Sequence, residues 1–214
     1  MFALCVELGD EKLDGSYVAL ERAGVAVING TNRSGRRRFT LTHEIGHHVF
    51  ADSYSAEWVV ESSSDARERL IDAFAIHFLM PRSGVTKRWQ ELDGKTDPRG
   101  ATLALAAEYG ASWSAACAQL RNLDLIDDPL REELAQVRPG KSEYLEREIA
   151  IVEDLRPPQV SAAVAAGVIK AYRKNKITRG RAIELLRGTV EPDELPAPNA
   201  VPLDAMTADI RPLD

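Results

Sequence analysis

Five consecutive residues, His43-Glu44-Ile45-Gly46-His47, have the types and spacing to hold a metal ion and act on a water molecule. If the stretch is helical, the two histidines share a face and stand about 6 Å apart. Each can then bring a ring nitrogen to about 2.1 Å from a single zinc ion. Glu44 is one step on, beside the metal position rather than on it, where its carboxylate can hold and deprotonate a water. The pattern also arises by chance, so its surroundings decide its meaning.

A hydrolytic zinc site takes a third protein ligand and keeps one position open. The extended motif with a third histidine would need glycine at position 50 and histidine at position 53; Phe50 and Ser53 stand there instead. The other arrangement draws a glutamate from a second helix, about 20 residues on. Glu68 lies 21 residues after His47, in a stretch with helical periodicity. Asp72 follows it on the same face, where a carboxylate can accept a hydrogen bond from a ligand imidazole and fix its tautomer. Glu57, Glu61 and Asp65 compete as ligands, but they fall in or near the preceding loop and lack such a partner. Glu68 and Asp72 also read as a solvated helix face; the spacing favours the ligand pair. His48 is rotated about 100° from His47 and His77 about 180° from Glu68. Both are expected to be partly buried structural histidines. Tyr54 and His77 are candidates for stabilising an oxyanion.

The run Arg38-Phe39-Thr40-Leu41-Thr42-His43-Glu44-Ile45-Gly46-His47-His48, followed by Glu68-Arg69-Leu70-Ile71-Asp72-Ala73-Phe74-Ala75-Ile76-His77-Phe78-Leu79-Met80-Pro81, resembles the ImmA/IrrE family of metallopeptidases. The resemblance spans roughly Phe2 to Ile126. It implies that His43, His47 and Glu68 hold Zn2+ and that Glu44 is the catalytic base. It also implies a protein substrate, a helix-turn-helix repressor encoded nearby and cleaved in a stress or mobile-element response. Ile71 and Asp72 depart from the Ala-Asn that the family often carries there. Members often begin with a helix before the first strand; here Met1 opens almost directly into it, which reads as a truncated product or a late start.

The elements that must position these residues are legible in outline. Phe2–Leu8, Tyr17–Leu20 and Val25–Ile28 read as strands, with a hairpin through Glu21-Arg22-Ala23-Gly24 in which Gly24 takes positive φ. A basic loop is expected from Thr31 to Arg38, as a solvated turn or an attractor of acidic substrate. Helices are predicted over 40–50, capped by Thr40, and over 65–80, capped by Asp65, with Leu70, Ile71, Phe74, Ala75 and Phe78 as the apolar stripe. Further helices are predicted over 101–109, 114–123, 130–136, 142–155, 159–174 and 179–187, the last capped by Thr178. The expected fold is α+β: a small antiparallel or mixed sheet packed on the two motif helices, then a helical C-terminal region. Residues 1–126 form the expected metallopeptidase domain and 127–188 the helical region. Residues 189–214 form a Pro-rich acidic tail expected to be disordered. An exposed strand, Val25–Ile28, is expected to pair with an extended substrate.

Composition narrows the classes. The chain has 27 Lys and Arg against 33 Asp and Glu, a net charge of −6, and 44% apolar residues. The net charge and the single cation, Arg121, on the second helix of the 101–123 pair argue against direct nucleic-acid binding. Lys170 to Arg187 form a basic face, read as solvated or as a partner surface. No apolar run is long enough for a membrane helix and no secretory signal is visible. Two distant cysteines, Cys5 and Cys117, suit a reduced, cytoplasmic protein. The expected activity is zinc-dependent endopeptidase; the alternative is a non-proteolytic zinc-binding regulator, as in a toxin–antitoxin pair or a repressor-binding protein.

Overall fold

The computed structural model describes residues 1–10, 12–20, 23–50 and 61–200, with backbone alone for 61–65. The chain divides into two units, Met1–Pro157 and Pro158–Asp214. The fold is α+β.

In the first unit, β1 (Phe2–Val6), β2 (Gly15–Leu20) and β3 (Ala23–Asn29) form a mixed sheet in the order β2-β3-β1. β1 runs parallel to β3, with Cys5 opposite Ile28; β2 runs antiparallel, with Tyr17 opposite Ala26. Alternation along β3 buries Gly24, Ala26 and Ile28 on one face. Tyr17, Ala26 and Ile28 make a small core with Leu41. Because β3 is paired on both sides, Val25–Ile28 has no edge to offer an extended peptide, which corrects that expectation; β2 is the outer strand. Ala23 and Gly24 are part of β3, so the hairpin connection narrows to residues 21 and 22, which lie outside the described residues.

Helix α1 (Ser34–Val49) starts well before the predicted Thr40, whose hydroxyl instead donates to the Arg36 carbonyl at 3.0 Å. The expected basic loop is therefore largely the first turns of α1. Cations there oppose the positive end of the helix dipole, and carboxylates from elsewhere answer them. Arg36 Nε meets Asp14 at 2.5 Å, Arg37 reaches Glu153 at 3.2 Å, and Arg38 Nε reaches Asp154 at 2.5 Å. Arg37 is buried and also donates to the Asn32 carbonyl and, at 2.6 Å, to that of Asp154.

Helices α2 (Glu61–Leu79), α3 (Arg82–Glu91), α4 (Pro98–Glu108), α5 (Trp113–Asn122), α6 (Asp128–Gln136) and α7 (Lys141–Glu146) complete the unit. Their core gathers Ile76, Met80, Val85, Trp89, Leu103 and Leu120. α2 lies against both α1 and α5, so its buried positions are Ile71, Ala75 and Ile76, while Leu70 and Phe78 of the predicted stripe are exposed. Asp65 lies within α2 rather than at its cap. The predicted 142–155 helix ends at Glu146; Glu148 and Leu155 take φ of 56° and 50°, and the chain runs on as irregular backbone to the start of α1. There Ser34 donates to Asp154 at 2.7 Å, and the Cys5 thiol donates to the Leu155 carbonyl at 2.9 Å.

The second unit holds a short strand β4 (Gln159–Val160), α8 (Ala162–Arg173) and α9 (Arg179–Leu186). Ser161 caps α8 and Thr178 caps α9. Val168, Tyr172, Ala182 and Leu186 form its core, with Val190 and Leu195 packed on them. The Asn199 N–H donates to the Arg173 carbonyl at 2.8 Å; residues 201–214 lie outside the described residues. Among the described residues no helix is long and apolar enough to cross a membrane.

Candidate metal centre

His43 and His47 stand one turn apart on α1, their Nε2 atoms 3.1 Å from each other. Glu68 approaches from α2, its Oε2 lying 3.2 Å from His43 Nε2 and 3.8 Å from His47 Nε2. Four ligands at about 2.05 Å from a tetrahedral zinc lie about 3.3 Å from one another. The three donors sit near that spacing, and they are the one group of His, Cys, Asp or Glu among the described residues whose atoms could share an ion.

The spacing between the helices is set by Gly46, which lies in the turn between the two histidines. A Cβ there would sit 2.9 Å from Ile71 and 3.1 Å from Phe74. Ile71 in turn lies between Glu68 and Asp72, so α1 and α2 pack closely at the level of the candidate ligands. Asp72 Oδ1 lies 2.9 Å from His43 Nδ1, the ring atom left over when Nε2 faces the other donors. That contact favours the tautomer with its proton on Nδ1 and a lone pair on Nε2.

Glu44 is buried. Burial pushes its carboxyl above the usual range and the nearby charge of Glu68 adds to this, while His43 and His47 pull it down; the balance is upward. A carboxylate so placed is a stronger proton acceptor than an exposed one.

One part of the site was not legible in the sequence. Tyr17 of β2 lies parallel to the His47 ring, 6.4 Å between centroids and 9° between planes. Its hydroxyl is hydrogen-bonded to His48 Nδ1 at 2.7 Å. Gly24 makes room for this: a Cβ at that position would sit 2.5 Å from the Tyr17 ring and 2.8 Å from His48 Nδ1. Gly24 thus serves close approach, not the positive φ expected of it. The signal available beforehand was a lone strand tyrosine facing a glycine, which has no distinctive spacing.

His77 is exposed, with its Nδ1 3.1 Å from the Gln119 amide, and belongs to no ligand group. Gln119 is fully buried and also donates to the Met80 carbonyl, so the 101–123 helix pair has a packing role here. Arg121, the one cation of its second helix, is held by Asp124 and Asp128. Tyr54 and Glu57 lie outside the described residues, as do the side chains of Glu61 and Asp65.

Residues 6–121 match the family model described as the IrrE N-terminal-like domain, Peptidase_M78. No curated protein matches the chain. The matched span contains all four strand and helix elements that build the centre, from β2 and β3 to α1 and α2.

Proposed function

Since the chain belongs to the Peptidase_M78, IrrE N-terminal-like family, whose name implies peptidase activity, we propose that it is a zinc-dependent endopeptidase. The observation that carries this reading is the meeting of His43, His47 and Glu68 at the edge lengths of a zinc tetrahedron, with Glu44 buried beside them. The donor set fits zinc: two imidazole nitrogens and one carboxylate leave a place for solvent or a carbonyl oxygen. A bound zinc ion would supply Lewis-acid polarisation of the scissile carbonyl and lower the pKa of a water toward about 7.

The chain's own residues then divide the work. His43 Nε2, His47 Nε2 and Glu68 hold the ion, and Asp72 orients His43 through Nδ1. Glu44 takes a proton from the attacking water and passes it to the leaving amine nitrogen. The upward pull of burial on its carboxyl suits both halves of that transfer. We assign as substrate, on the resemblance, a helix-turn-helix repressor in a stress or mobile-element response. Two buried, unpaired thiols, Cys5 and Cys117, support a cytoplasmic setting.

The test is cleavage of a repressor-type protein encoded beside this gene by purified chain with zinc. Wild-type cleavage that is lost in Glu44→Gln, with zinc still bound, supports the peptidase. Zinc binding without cleavage of any such protein points to the non-proteolytic regulator.

A further inference from the structure

Asn29 and Gly30 stand where β3 ends, outside the metal centre, and of the five asparagines in the chain only Asn29 precedes a glycine. The Asn29 side chain is fully buried. A side-chain amide has two N–H donors and an oxygen with two acceptor sites. Here all four are engaged. Nδ2 donates to the Asp10 carbonyl at 2.8 Å and to the Leu13 carbonyl at 2.7 Å. Oδ1 accepts from the Leu8 N–H at 3.2 Å and from the Thr31 N–H at 3.1 Å. One side chain thus ties Leu8, Asp10 and Leu13, between β1 and β2, to the end of β3.

No other side chain of this shape fills the role. An aspartate at 29 has the same outline, but an ionised carboxylate only accepts. One of its oxygens would face the Asp10 and Leu13 carbonyls with no proton between them, in a site closed to water. Gly30 is required as firmly: a Cβ there would sit 2.5 Å and 2.7 Å from the ring of Pro157. Packing therefore dictates the dipeptide Asn-Gly, and with it a chemical liability.

The liability is attack by a backbone nitrogen on the neighbouring amide. Gly30 has no Cβ to hinder its own nitrogen, which is four bonds from the Asn29 side-chain carbon. The new bond joins Gly30 N to Asn29 Cγ and closes a five-membered imide. The Cγ–Nδ2 bond breaks, and ammonia leaves carrying the proton from Gly30 N. Water then opens the imide to aspartate or its β-linked isomer, so one water enters and one ammonia departs. In the folded chain both reacting groups are held. The Gly30 N–H donates to the Val6 carbonyl at 2.8 Å, and Nδ2 is bound by its two carbonyls. Ring closure has to break these bonds, so it belongs to chains in which the sheet has opened.

We infer that Asn29-Gly30 is a deamidation site, silent in the native chain and active in the unfolded one, whose acidic product does not regain the native sheet. The dipeptide acts as a one-way timer on the unfolded state: a chain that folds slowly, or reopens often, is withdrawn from the working pool. The inference is independent of the metal centre and of the peptidase reading.

The test incubates the full-length chain in native buffer and in guanidinium chloride, at one pH and temperature, and digests both with trypsin. Peptide 23–33 holds Asn29 and Asn32, so tandem mass spectrometry reads the two side by side. In denaturant Asn29 should convert well ahead of Asn32, which precedes the bulky Arg33. In native buffer Asn29 should convert at least ~10-fold more slowly than in denaturant. Asn29→Asp should melt at least ~5 °C below wild type or fail to fold, whereas Asn122→Asp, at the exposed end of α5, should melt near wild type. The kinetics are read on wild-type protein, so they decide the protection whether or not the variant folds. Equal conversion of Asn29 in the two buffers, conversion of Asn32 as fast as Asn29 in denaturant, or a wild-type melting temperature for Asn29→Asp overturns the inference.

Discussion

The Tyr17 hydroxyl and His48 Nδ1 are joined by a hydrogen bond of 2.7 Å, and the same tyrosine ring lies parallel to His47. The sheet therefore grips α1 at the turn that carries the second candidate ligand. Tyr17→Phe keeps the ring and removes the bond, leaving His48 without its partner; urea unfolding should show a loss of about 1–2 kcal/mol. Gly24→Ala pushes a methyl into the same slot and should cost about 1–3 kcal/mol. Unfolding midpoints equal to wild type in both variants would remove the clamp.

The purified protein should hold about one zinc per chain. His43→Ala, His47→Ala and Glu68→Ala should each abolish stoichiometric binding, as read by metal analysis after dialysis. Asp72→Ala should keep the ion but weaken its affinity ~10–100-fold, because the imidazole of His43 loses its orienting partner. A chelator should lower the melting temperature, since a ligand at ~1,000 times its dissociation constant stabilises the native state by about 4 kcal/mol. Full zinc content in both His43→Ala and Glu68→Ala would place the ion elsewhere.

Glu44→Gln is close to isosteric and removes the proton acceptor. Turnover should fall by about 10²–10⁴-fold, with zinc content and melting temperature near wild type. Undiminished cleavage would assign the base to another group.

Asp154 links acidity to stability. Burial raises its carboxyl, but hydrogen bonds from Arg38 and Ser34, with the charges of Arg38 and Arg37, outweigh burial and hold it below the usual range. Its folded pKa thus lies under its unfolded value of about 3.9. The stabilisation is complete above that value and drains away as pH falls toward the folded pKa, where the unfolded chain binds the extra proton. Asp154→Asn should melt below wild type at neutral pH, and the gap should narrow under about pH 4. A gap that stays constant down to pH 3 would deny the coupling.

The motif residues were legible because their chemistry demands a fixed spacing. His43 and His47 are one turn apart whatever the rest of the fold does, and Glu68 with Asp72 repeats that spacing on a second helix. The sheet was legible from short β-rich runs, although the order of its strands was not. Pairing is a relation between segments, and nothing in Val25–Ile28 alone says that β1 will cover its second edge. The start of α1 was misplaced because three arginines look like a loop until their partners, Asp14, Glu153 and Asp154, are known. Two of those partners lie more than a hundred residues away. The role of Tyr17 was hidden for the same reason: its meaning depends on His47, His48 and Gly24, which adjoin it only after folding.

The long reach of Arg37 and Arg38 to residues 153 and 154 also makes the start of α1 depend on a stretch far along the chain. A nascent chain that has emerged only as far as residue 126 already contains every candidate ligand, yet Arg37 still lacks the carboxylate and carbonyl that bury it. The start of α1 is thus braced from two sides, by Asp14 from earlier in the chain and by residues 153 and 154 from much later in it. A chain shortened before residue 153 would keep His43, His47 and Glu68 in its sequence while losing that brace.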